Sequence, residues 1–146
     1  RAYFWAKCIT LTGMATLAAI LMGLFVHSDV RFAILLPTVV LTSIQYLAIG
    51  VPVARLFGTV TSYLIGATFA LLPFVLPAAF ALQDPMSVWM MLIPAAAQLK
   101  LILLSTGYGS ASGIEITLMF GVCAMSTFVF VLWALRSLRT QLGVNA

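Results

Sequence analysis

Of 146 residues, 64% are hydrophobic and only 7% charged, against the quarter expected of a water-soluble domain. Water could not solvate a surface of this make-up, and lipid admits only structures whose backbone N–H and C=O groups pair internally. The net charge of +4 does not point to nucleic acid, because the basic residues gather at the edges of apolar stretches, as they do in membrane proteins.

Five such stretches follow one another: Ile9–Val26, Phe32–Ile49, Leu56–Leu82, Met86–Leu104 and Ile114–Leu135. Each approaches the ~20 residues a helix needs to cross a ~30 Å hydrocarbon core. All are too long for barrel strands of roughly ten residues. The expected fold is all-α: a polytopic transmembrane bundle of five spans forming a single domain, residues 1–146.

The opening run from Arg1 to Lys7 is basic and aromatic, an interface anchor on the cytoplasmic side. The first span then runs outward. His27–Arg31 is a tight outer turn that makes the first two spans an antiparallel hairpin. Pro37 sits early in the second span, where a missing N–H is cheap or produces a kink. Gly50–Arg55 returns the chain to the basic side. Pro73 and Pro77 predict a kink or an early exit at the end of the third stretch, and Gln83–Pro85 is an outer turn.

The fourth stretch carries Lys100 near its inner end, and Ser105–Gly113 is a flexible inner loop. With five alternating spans, Arg136 and Arg139 fall on the face opposite Lys7 and Arg55, against the positive-inside tendency. A chain that continues beyond Ala146, a re-entrant stretch or a plain exception would each account for this.

Gly58, Ser62, Gly66 and Ala70 recur at four-residue spacing. On a helix they form a narrow strip without bulky side chains, which in lipid is a surface for close helix packing. The neighbour is a helix of this chain or of a second subunit. Four polar groups lie within or beside apolar spans: Gln45, Gln98, Lys100 and Glu115. Charges in such positions need partners or water. Lys100 and Glu115 are nearly symmetric about Gly107 and Tyr108, which predicts similar depth. They either pair and pin a hairpin, or Lys100 snorkels to the headgroups, or Glu115 titrates in a proton-coupled cycle.

His27 alone cannot supply both axial ligands of a bis-histidine haem. Cys8 and Cys123 lie at different depths and read as small packing residues. Asp29, Asp84 and Glu115 are the only acids, and no nucleophile–base set or phosphate loop accompanies them. No enzyme, cofactor, metal site or nucleic-acid partner is expected.

Gln45, then Arg55-Leu-Phe-Gly58-Thr59 and Gly66, with Tyr108 and Thr117 further on, resemble the fusaric acid resistance superfamily of aromatic acid exporters. The likeness runs roughly from Lys7 to Val122, although no proline follows Gln45. It implies a multi-pass exporter of small organic or aromatic acids in the bacterial inner membrane. It further implies a periplasmic adaptor protein as partner and drive from the proton gradient. Arg55 and Gln45 are then the substrate-binding candidates, since an arginine fork matches a carboxylate. The competing reading is a non-catalytic accessory subunit of a larger membrane complex, holding partner helices or lipid through the Gly58–Ala70 strip. In either case the partners are the bilayer and a homo-oligomer or other membrane subunits.

Overall fold

A computed structural model describes residues 2–26, 30–57, 59–82 and 86–141. Among these the chain is helical throughout, with turns but no strand. Three helices are long and apolar enough to cross a membrane: α1 (Ala2–Val26), α2 (Phe32–Arg55) and α6 (Gly113–Gln141).

Helix α1 is apolar on all sides, as a helix must be when neither face meets water. Ile9, Met14, Met22 and Phe25 stand well exposed on it. Its inner side is narrow. A Cβ at Gly23 would come within 3.0 Å of the Phe32 ring, so the glycine lets α1 close onto the start of α2. Helix α2 holds Pro37 and Pro52 within its length, each removing one i→i−4 bond.

Helix α3 (Val60–Val75) begins with the Thr59 side chain accepting from the Ser62 N–H. Its apolar run continues as a 3₁₀ helix, Leu76–Leu82. A tighter coil at this point fits the prolines Pro73 and Pro77, which cannot donate to an α ladder.

The stretch Met86–Leu104, expected as one span, is broken. Helix α4 (Val88–Met91) ends at Leu92, and α5 (Pro94–Ser105) starts afresh with its proline in the first turn. Proline there gives up an N–H that would have no partner anyway. At 1.5 Å per residue, the 12 residues of α5 rise only about 18 Å. That is little more than half of the ~30 Å hydrocarbon thickness.

Two packed clusters mark the ends of the bundle. At one end Cys8, Ala48 and Ala134 are buried together with Val51, Phe130 and Leu138. This end therefore joins the start of α1 to the ends of α2 and α6. Towards the other end, Met91, Ala97, Leu101, Leu104, Met119 and Cys123 pack with Ile34 and Leu41. Here the Arg31 N–H donates to the Ser105 carbonyl at 2.8 Å. The turn before α2 and the end of α5 thus lie at the same end, where five alternating spans would have separated them. Helices α2 and α6 consequently run parallel as neighbours, and α5 wedges against both. The two cysteines are free, buried and in separate clusters.

Candidate functional site

Three helices bring polar side chains together in the bundle interior. Gln45 of α2, 2% exposed, and Gln98 of α5, 3% exposed, meet where Gln98 Nε2 donates to Gln45 Oε1 at 2.8 Å. Helix α6 adds two hydroxyls: Ser126 Oγ lies 3.0 Å and Thr127 Oγ1 3.3 Å from the same Gln45 oxygen. Each hydroxyl also reaches the Cys123 carbonyl, at 3.0 and 2.7 Å, and Thr127 Oγ1 is 3.4 Å from the Leu41 carbonyl. A hydroxyl carries a single proton, so Ser126 and Thr127 can turn between the glutamine and the helix backbone.

The geometry of this cluster leaves one acceptor over. Gln98 Oε1 is buried and has no hydrogen-bond partner, at a cost of about 1–3 kcal/mol for an unpaired buried group. The members carry no formal charge, so the arrangement cannot abstract or store a proton. It can exchange hydrogen bonds with a polar solute, and its hydroxyls can reorient as one passes.

A second polar group lines a cavity of about 200 Å³ between α4, α5 and the start of α6. Lys100, 2% exposed, and Glu115 both face it, with Ser110, Ser112, Met91 and Met119. Lys100 therefore lies inside the protein rather than snorkelling outward. Glu115 serves the helix: Glu115 Oε2 accepts from the Ser112 N–H at 2.6 Å, and the Glu115 N–H donates to Ser112 Oγ at 3.3 Å. This reciprocal capping box satisfies two backbone donors at the start of α6.

At the opposite end, α1, α2 and the end of α6 enclose a crevice of about 550 Å³. Its walls are apolar apart from Lys7, Ser43 and Tyr46, and its size is within the range of small-molecule pockets.

The candidates read from the sequence are dispersed. Arg55 ends α2, ten residues beyond Gln45. That is about 15 Å along the helix, so the two cannot hold one small carboxylate together. In the small-residue strip, Ser62 is exposed and is held at the start of α3, where Thr59 Oγ1 donates to Ser62 Oγ at 2.8 Å. Gly66 faces Phe57: an added Cβ would fall within its ring. Part of the strip thus seats an aromatic ring of the same chain. Gly58 and His27 lie outside the described residues, as do the side chains of Arg55 and Ala70.

Ser126 and Thr127 escaped the sequence reading. Hydroxyl residues are common in membrane helices and usually bond their own backbone, as Thr38, Thr68 and Thr117 do here. Only the glutamine opposite them gives the pair a further role. Among the described residues, no group of three His, Cys, Asp or Glu could hold a metal ion.

No family model, curated protein or solved structure matches the chain.

Proposed function

We propose that this chain is a multi-pass subunit of a bacterial inner membrane that exports small organic or aromatic acids. The observation carrying this reading is the uncharged polar cluster around Gln45, buried among helices that otherwise present apolar surface. A buried orphan acceptor is costly in lipid, and an acid that passes in its protonated form, whose O–H donates to that oxygen, recovers the cost. The crevice at the Lys7 end adds support, since it joins an apolar volume suited to an aromatic ring with a cation at its edge. The resemblance carried by Gln45, Arg55 and Gly66 agrees with this use.

In the membrane arrangement that goes with this function, α1, α2, the α3–3₁₀ unit and α6 cross the bilayer. The segment from Met86 to Ser105 enters and leaves on one side. Sixteen α-helical and seven 3₁₀ residues rise together about 38 Å, enough to cross. Four crossings bring Lys7, Arg55, Arg136 and Arg139 to one side, which the positive-inside rule makes cytoplasmic. The re-entrant segment accounts for the charge pattern that five spans violate. The subunit works as a homo-oligomer or with other membrane subunits, passing its solute to a periplasmic adaptor.

Export of a radiolabelled benzoate-type acid from cells expressing the protein tests this. Gln45→Leu and Arg55→Ala should each abolish export while membrane insertion is retained. Wild-type export by both variants would remove the proposed path.

A further inference from the structure

Helix α5 begins inside the protein without a cap. Ile93 holds the extended N-cap conformation, at φ −87° and ψ 115°, but no side chain bonds the helix end. Pro94 has no N–H to satisfy, and the first ladder bond runs from the Ala97 N–H to the Ile93 carbonyl at 2.9 Å. The N–H groups of Ala95 and Ala96 therefore precede the ladder. Both residues are buried, at 6% and 0% exposure. The fold also sets them deep. Ser105 is tied to the turn before α2, and the 12 residues of α5 rise about 18 Å from there, just past the middle of a ~30 Å hydrocarbon core. The positive end of the helix dipole lies at the same place. In transporters, half-helices that begin near the midplane direct such ends at the acidic group of the solute.

Gln98 makes a second, independent demand. A helical side chain leans back over the turn before it, which for Gln98 is the turn of Pro94 and Ala95. Its Nε2 is committed to Gln45 Oε1 at 2.8 Å, while its Oε1 is buried and has no partner. Two donors and one acceptor thus meet at the first turn of α5, and a group that completes them must accept and donate side by side. An ionised carboxylate or a sulfonate satisfies the donors but brings no proton to the Gln98 oxygen. A carboxyl group in its acid form does both. We propose that the start of α5 and Gln98 form the carboxyl subsite of the export path, occupied by the solute as the uncharged acid. Its carbonyl oxygen accepts from the Ala95 and Ala96 N–H groups, and its O–H donates to Gln98 Oε1. This assignment rests on the acid-export reading and adds the atoms at which the solute is held.

Titration calorimetry on the detergent-purified protein tests it with three probes. Benzamide presents a carbonyl beside a donor and stays uncharged, N,N-dimethylbenzamide lacks the donor, and benzenesulfonate is permanently ionised. Benzamide should bind, and each of the others should bind roughly tenfold or more weakly, the loss of one buried hydrogen bond. Ile93→Thr supplies a built-in competitor. A threonine oxygen at the N-cap accepts from the N–H two or three residues on, as Thr59 does for α3, and so takes up the Ala95 or Ala96 donor. It should weaken benzamide binding by a similar factor, whereas Ile93→Val, branched alike but without the oxygen, should bind as wild type. Equal benzamide binding by Ile93→Thr and Ile93→Val, either other probe binding as tightly as benzamide, or no binding by any probe would each overturn the subsite. Benzoate export measured alongside separates the two levels. Cells that still export benzoate when the subsite fails retain the export reading, and a protein that binds benzamide in the expected pattern without exporting benzoate loses that reading alone.

Discussion

The Arg31 N–H donates to the Ser105 carbonyl across 2.8 Å, tying the start of α2 to the end of α5. A backbone bond of this length leaves no room for a membrane between its partners. Labelling single cysteines with a membrane-impermeant maleimide reads out the consequence. Arg31→Cys and Ser110→Cys should react from the same face of the membrane, and Ala54→Cys from the other. Alternating five-span topology expects Arg31→Cys and Ser110→Cys on opposite faces, so the experiment separates the two arrangements directly.

The long helices were legible because nothing interrupts their apolar pattern. α1, α2 and α6 contain the expected stretches Ile9–Val26, Phe32–Ile49 and Ile114–Leu135 and overrun them at polar or basic ends. Apolarity cannot locate a helix end that continues past the membrane edge, as α2 does to Arg55. The stretch Met86–Leu104 was misread for a related reason. Its hydropathy is continuous, and only Pro94 signals the break, since its ring denies Met90 a donor and favours a helix start. Depth was the other hidden quantity. Gln45 stood out alone in its span, but its contact with Gln98, 53 residues away, depends on how α5 folds back.

Replacing Gln45 removes the acceptor on which three donors converge. Ser126 and Thr127 can fall back on the Cys123 carbonyl, whereas the Gln98 amide loses its partner. Gln45→Leu should therefore destabilise the fold by about 1–3 kcal/mol, the range for one stranded buried group. Ser126→Ala should cost less than about 1 kcal/mol, near the average for interhelical bonds in membranes. Unfolding in mixed micelles measures both. The double variant should fall short of the sum, because the two side chains share one bond; strict additivity would show that they act separately.

Gly66 is small because the Phe57 ring occupies the position of a side chain. Gly66→Leu should cost about 1–3 kcal/mol through overpacking, seen as a lower thermal midpoint. Phe57→Ala in the same protein should recover most of that loss by emptying the space. If Gly66→Leu leaves the midpoint unchanged but dissociates an oligomer, the glycine instead faces a second subunit.

Ser112 and Glu115 cap α6 by exchanging side-chain and backbone bonds, and the two halves of this exchange are unequal. Ser112→Ala leaves the Glu115 N–H without its acceptor and should destabilise the protein by about 1 kcal/mol, the usual loss at an N-cap. Glu115→Gln keeps an oxygen for the Ser112 N–H, since either residue serves at that position. It forfeits only the attraction of a negative charge to the helix start, about 0.3–1 kcal/mol where exposed. Chemical denaturation of the two variants should therefore rank Ser112→Ala as the more damaging. The reverse order would mean that Glu115 contributes chiefly through its charge towards the Lys100 cavity, with capping secondary.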